Sequence, residues 1–164
     1  MAILHLFAGA SVVDDPRLAA FGRTFPVTPG EARIPVPLDA GTAANGDVSA
    51  TVIRVRAHTA CGSINVMERH PYSVQAFVPL GASRLVALVA PAGQPPASLN
   101  DVTAVHIPAG WGFAYHPGIW HAGMMGEGMD ATALSLVRRL PDGSDTELAD
   151  LGFFIDPVEQ FHNV

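Results

Sequence analysis

Glycine and proline interrupt this chain so often that long helices have no room to form. Its 164 residues include sixteen glycines and fourteen prolines, the residues that punctuate turns. Between them lie short apolar runs that read as strands: Val48 to Ala57, Ile64 to Met67, Val74 to Val78, Leu85 to Ala90, Val102 to Ile107, Ala131 to Val137 and Phe153 to Ile155. The run from Val48 alternates, with Thr51, Ile53, Val55 and Ala57 on one face and Val52, Arg54 and Arg56 on the other. An apolar stretch from Ile3 to Val13 reads as a first strand. About eight closely spaced strands with one or two short helices predict an all-β (mainly β) sandwich or barrel. One helix is expected where Asp15-Pro16 supplies an N-cap followed by proline at the first helical position, ending at Gly22. Residues 25 to 47, with Pro26, Pro29, Pro35 and Pro37, read as irregular loops and edge strands. A chain of this length holds one good core and is short for two, so a single domain over residues 1–164 is expected.

Charge and cysteine content exclude several functions. Nine basic against fifteen acidic residues leave a formal charge of -6, which argues against nucleic acid as a partner, because such a partner needs a basic face. An anionic small ligand remains compatible, since a pocket can be locally positive; Arg54, Arg56, Arg69, Arg138 and Arg139 all fall in predicted strand regions. Cys61 is the only cysteine, so neither a disulfide framework nor a thiolate metal cluster is expected. The stretch from Ile3 lacks a basic leader and runs into Asp14-Asp15, which favours a strand over a signal peptide. No run approaches the roughly 18 apolar residues of a membrane span. The expectation is a soluble, cytoplasmic protein with no membrane partner. No glycine-rich phosphate loop opens a helix, which argues against a nucleotide or flavin enzyme.

Polar residues concentrate in two segments. In Gly62-Ser-Ile-Asn-Val-Met-Glu68-Arg-His70-Pro-Tyr-Ser-Val-Gln75, Glu68 and His70 are two apart and share a strand face, with Arg69 opposite. Gln75 starts the next strand after a turn at Pro71, and can hydrogen-bond Glu68 or His70. In Gly110-Trp-Gly-Phe-Ala-Tyr115-His116-Pro-Gly118-Ile-Trp120-His121, two histidines flank a Pro-Gly turn, and a hairpin can aim both rings into one cavity. Tyr115 and Trp120 read as pocket wall or packing. His5, His58, His106 and His162 fall at no motif position and read as ordinary histidines. Met124, Met125 and Met129 read as a loop near the pocket mouth or a surface turn, and Cys61 as a small buried apolar residue.

The spacings follow a family frame. The first cupin motif has glycine, five residues, H-x-H, three or four residues, glutamate, six residues, glycine; here Gly62, Glu68-x-His70, Gln75 and Gly81 occupy it. The second has glycine, five residues, P-x-G-x-x-H; here Gly110, His116-x-Gly118 and His121 occupy it. Glu68-Arg69-His70-Pro71 followed by Gln75-Ala76-Phe77-Val78-Pro79 resembles the signature of ureidoglycolate lyases. Tyr115-His116-Pro-Gly-Ile-Trp120-His121 is similar to that family's YHxxxWHH segment, and Leu18-Ala-Ala-Phe-Gly22 resembles its opening. Ala122 stands where the family has a further histidine, and Val137-Arg138-Arg139 replaces an acidic-Arg pair.

The resemblance implies a cupin-type double-stranded β-barrel and a carbon–nitrogen lyase that cleaves ureidoglycolate to glyoxylate and urea in allantoin and purine catabolism. It implies a small carboxylate substrate and a homodimer. Glu68, His70, His116 and His121 are the candidate catalytic groups, with Gln75, Tyr115 and Trp120 lining the substrate. Glu68, His70 and His121 form a two-histidine, one-carboxylate set, with Gln75 as a fourth ligand, suited to nickel, zinc or manganese. The alternatives are a metal-dependent cupin enzyme with other chemistry, such as an isomerase, a dioxygenase or another small-acid lyase, and a non-catalytic cupin that binds a small carboxylate.

Overall fold

A computed structural model describes residues 2–5, 16–27, 36, 38 and 46–161. Twelve strands lie among them: β1 (Ala2–His5), β2 (Gly22–Pro26), β3 (Asp47–Val55), β4 (Ile64–Arg69), β5 (Gln75–Pro79), β6 (Leu85–Ala90), β7 (Thr103–Ile107), β8 (Trp111–Tyr115), β9 (Trp120–His121), β10 (Met125–Gly126), β11 (Ala131–Arg139) and β12 (Glu147–Ile155). Two short helices accompany them, α1 (Pro16–Ala19) and α2 (Pro157–Phe161).

The strands form two sheets. One runs β1-β7-β6-β9-β4-β12 with β10 beside β6, and the other runs β2-β8-β5-β11-β3. All pairings within them are antiparallel except β1 with β7. Side-chain alternation decides what lies between the sheets. Leu85, Ala87, Val89, Val105 and Ile107 of the first sheet meet Val55, Phe77, Phe113, Tyr115, Ala131 and Ala133 of the second in one core. The opposite face of β6 and β4 packs Val86, Leu88, Ala90 and Met67 against Trp120, Leu151, Ile155 and Phe161. Burial on both faces explains why Leu85–Ala90 is a continuous apolar run and not an alternating one. The result is the mainly β, double-stranded barrel that the sequence predicts.

Several boundaries differ from the sequence reading, each for a local reason. Gly22–Pro26 pairs with β8 although its glycine and proline read as loop; edge position tolerates both. The last strand begins at Glu147, not Phe153, because Asp150 and Gly152 obscure its alternation. The C-terminal helix went unread, yet Asp156 accepts the Val158 N–H at 2.8 Å, so Asp156-Pro157 supplies an N-cap followed by proline. Asp15 and His162 lie outside the described residues, as do residues 6–13 of the predicted first strand and most of 28–45. Met124 and Met125 are buried in the two cores, whereas Met129 is exposed. Among the described residues no helix is long and apolar enough to cross a membrane.

One turn places the site. Gly118 has φ of 80°, open to glycine at little cost, and its N–H donates to the His70 carbonyl at 2.8 Å. The chain can therefore leave β8 in one sheet and insert β9 between β6 and β4 in the other. There His121 stands directly opposite both Glu68 and Val89.

Candidate active site

Strand parity carries five polar side chains into the barrel. His121 pairs with Val89, an interior residue, so it faces inward, and Glu68, its partner on β4, does the same. His70 lies on the same face as Glu68. From the other sheet, Gln75 and Tyr115 are cross-strand neighbours, on the face that also carries Phe77 and Phe113 inward. The sequence expectation that Glu68, His70, Gln75, Tyr115 and His121 share one cavity face thus has a structural basis in register.

The histidines are held in one tautomer. The Nδ1–H of His70 donates to the Asp145 carbonyl at 3.0 Å, and that of His121 donates to the Ile119 carbonyl at 2.9 Å. A carbonyl only accepts, so each Nδ1 carries a proton; on His70, whose burial favours the neutral ring, Nε2 then presents a lone pair. The His121 ring stacks on Tyr115 with centroids 4.3 Å apart and planes at 15°, and lies 5.5 Å from the His70 ring. Its Nε2 is 3.5 Å from Glu68 Oε1. This neighbour lowers the Glu68 carboxyl pKa from its ordinary value, against the opposing effect of burial. Burial lowers the His70 pKa, only partly offset by its bond to Asp145. Burial also pushes the Tyr115 phenol well up. At neutral pH the pocket therefore holds a carboxylate, a neutral imidazole at position 70 and a protonated phenol.

Buried polar atoms normally find partners. Here His70 Nε2, Gln75 Oε1, Tyr115 Oη and His121 Nε2 are buried without a hydrogen bond. One ligand atom each from Glu68, His70 and His121 lies within 4.8 Å of the others. Two imidazoles and a carboxylate converging in this way fit a divalent transition-metal ion. Gln75 Nε2 reaches Ser135 Oγ at 3.5 Å and not Glu68 or His70, and its Oε1 is left buried without a partner.

Two predicted residues are not brought to this cluster. Trp120, adjacent to His121 in the strand, faces the other way. Its indole N–H donates to the Gly93 carbonyl at 3.1 Å and Arg69 lies 4.6 Å above its ring, so it packs outside the barrel instead of lining a substrate. Arg69, also outward, bonds Glu147. His116 directs Nε2–H to the Ala19 carbonyl at 3.0 Å, while its backbone N–H donates to Phe21. That ring ties β8 to the α1–β2 turn. Replacing His116 with alanine is expected to cost about 1 kcal/mol of stability through the lost hydrogen bond and to leave turnover near wild type. A loss of turnover as deep as that at His121 would instead place the ring in the chemistry.

Sequence reasoning missed Asp145 and Thr146. Asp145 is buried in the turn between β11 and β12; it accepts the Leu140 N–H at 3.0 Å and an Arg139 Nη1–H at 3.1 Å, while its carbonyl fixes His70. In the sequence, Pro141-Asp-Gly-Ser-Asp145 reads as a solvated turn, and nothing in its composition distinguishes a buried aspartate from an exposed one.

A two-sheet barrel with two inward imidazoles and a carboxylate defines a cupin-type protein with a metal-competent pocket. The family model described as ureidoglycolate lyase matches residues 32–152, and the chain belongs to that family. It is 40% identical over 73 residues to the ureidoglycolate lyase of Burkholderia cepacia, covering 43% of this chain and 40% of that protein. To the ureidoglycolate lyase of Pseudomonas savastanoi pv. phaseolicola it is 40% identical over 60 residues, 36% of this chain and 34% of that protein. The chain thus matches less than half the length of these curated relatives. Among solved structures it is similar to RmlC from Streptococcus suis in complex with dTDP-D-xylose, with TM-score 0.42 and 13% identity over 60% of this chain and 47% of that one.

Proposed function

We propose that this protein is a ureidoglycolate lyase, releasing glyoxylate and urea. Family membership supports the substrate, and the converging Glu68, His70 and His121 support the chemistry. Ureidoglycolate is a carbinolamide: one carbon carries a hydroxyl, a carboxylate and the ureido nitrogen. Cleavage moves the hydroxyl proton to that nitrogen as the C–N bond breaks, and the O–H electron pair becomes the new carbonyl π bond. Glu68, held ionised, takes the hydroxyl proton. Tyr115, held protonated, donates a hydrogen bond toward the departing urea. A positioned acid–base pair contributes about 10²–10⁴-fold, and fixed dipoles around the reacting carbon add to it.

Glu68, His70 and His121 are the residues that would hold a divalent ion, with Gln75 Oε1 beside them; nickel, zinc and manganese all suit two imidazoles and a carboxylate. When bound, such an ion supplies a Lewis acid that lowers the pKa of a substrate hydroxyl. A carboxylate has two oxygens, so engaging one leaves the other to accept a proton. A homodimer belongs to the same reading, supported by the exposed apolar side chains of Val66, Leu148 and Phe154 on the strands at that sheet's end. A cytoplasmic location is part of the same proposal.

The test is glyoxylate release from racemic ureidoglycolate before and after chelator treatment. The expected result is enzymatic release that falls at least about tenfold after chelation and returns with one of the three ions. Release unaffected by complete metal removal would dismiss the ion; no release in either state would dismiss the lyase.

A further inference from the structure

The substrate named above carries a carboxylate, yet the inward groups considered so far offer it no fixed positive charge. The next inward position along β11 does. Ala131, Ala133, Ser135 and Val137 face the barrel interior, and Val137 stands opposite Gln75. Arg139, two residues on, continues that face at the end of the strand.

Its anchoring is specific. Arg139 Nη1–H donates to Asp145 Oδ2 at 3.1 Å and to Thr146 Oγ1 at 2.7 Å. Asp145 is 2% exposed, and its carbonyl holds the His70 ring. Thr146 Oγ1 also lies 3.3 Å from His70 Nδ1. One turn therefore fixes both the imidazole at the reacting centre and the guanidinium beside it. Among the described residues, Arg139 Nε and Nη2 have no hydrogen-bond acceptor. These two N–H groups form one edge of the guanidinium, parallel and spaced to match a carboxylate. About half of the Arg139 side chain is exposed, so that edge is reachable from solvent. Arg138 faces the opposite way along the strand, and its Nη1–H is directed to the Gly46 carbonyl.

We infer that Arg139 binds the substrate's carboxylate through its Nε–Nη2 edge, with Asp145 and Thr146 clamping the opposite nitrogen so that this edge keeps its aim. The inference rests on the lyase reading and names what that reading lacks, the group that orients the acid. It makes Arg139 a specificity residue: small acids with a carboxylate next to the reacting carbon bind, and their amides do not.

Binding decides this without turnover. Ureidoacetate lacks the hydroxyl and cannot be cleaved, and ureidoacetamide is its uncharged analogue. Titrated into purified wild-type protein by calorimetry, ureidoacetate is expected to bind about 10–100-fold more tightly than the amide, the range for a bidentate charge-assisted pair. Arg139→Gln should erase that preference. Arg139→Lys, which keeps the charge facing Asp145, should retain only part of it, because an ammonium lacks the fork. A preference that survives fully in Arg139→Gln, or in Arg139→Lys should the glutamine variant not fold, overturns the inference; so does a wild type with no preference. Glyoxylate release measured on the same samples separates the two ideas. Turnover with a preference indifferent to Arg139 removes the inference alone, and an Arg139-dependent preference without turnover removes the lyase reading alone.

Discussion

His121→Ala is expected to reduce glyoxylate release by about 10²–10⁴-fold, the range for losing a positioned acid–base group. Three consequences act together. The substitution removes one of the two imidazoles that converge on Glu68, and the ring on which Tyr115 is stacked. It also leaves Glu68 without the neighbour that most lowers its pKa, while the burial that raises it remains. The carboxyl pKa therefore rises in the variant, and less of the base is ionised at any given pH below neutrality. Residual activity should consequently decline at higher pH than in wild type as the solution is acidified. Thermal melts and circular dichroism must show a folded protein for the comparison to count, since His121 is 1% exposed and its removal opens a cavity. A folded His121→Ala protein within tenfold of wild-type turnover would remove this ring from the mechanism.

The largest effect on stability should fall at Asp145, a residue that supports the site from behind and does not touch the reacting atoms. Its carboxylate accepts from Leu140 N–H and Arg139 and contacts Thr146 Oγ1, all from within one turn. Burial alone would raise its pKa, but these donors outweigh burial and lower it. Asp145→Ala strands the Leu140 N–H and the Arg139 Nη1 without their acceptor, at an expected cost of about 2–4 kcal/mol. Asp145→Asn retains the shape and loses the charge. Because the folded-state pKa lies below the unfolded value, the charge contributes fully above about pH 4, the unfolded range for an aspartate, and its contribution fades as pH falls through the folded value. Urea denaturation should therefore give a gap between wild type and Asp145→Asn that is largest at pH 7 and narrows under acid. A gap independent of pH would mean that the carboxylate is not held ionised. Since these side-chain contacts shape the turn whose backbone carbonyl fixes His70, the alanine variant should lose turnover by more than its unfolded fraction explains.

What the sequence revealed follows from which physical signals are local. The strand at Val48 to Ala57 was legible because edge strands of a two-faced sheet alternate, and its buried Val55 and Ala57 against exposed Val52, Arg54 and Arg56 match that pattern. The pairing of Glu68 with His70 was legible for the same reason, as was the outward aim of Arg69. The two histidines of the Pro-Gly turn were legible only in part. The motif frame favours His121, which holds its histidine position while His116 replaces its proline, and the register of β9 against β4 and β6 shows why His121 enters the barrel. Trp120 illustrates the same limit: its residue type suited pocket wall or packing, the resemblance put it against the substrate, and strand alternation put it in the packing on the other side of the sheet. Asp145 and Arg139 were illegible as a pair because their contact closes a turn, and turn aspartates and strand-end arginines are common on surfaces for reasons unrelated to a site. The resemblance named the candidate groups; the supports behind them required coordinates.

The most direct test of the central claim is to follow glyoxylate and urea together from racemic ureidoglycolate, with buffer alone and folded His121→Ala protein as references. The expected result is equimolar release of both products by the wild-type protein, well above either reference and ending near half of the racemate, because a chiral pocket accepts one hand. Release no faster than in buffer, or equal in wild type and His121→Ala, would contradict the account.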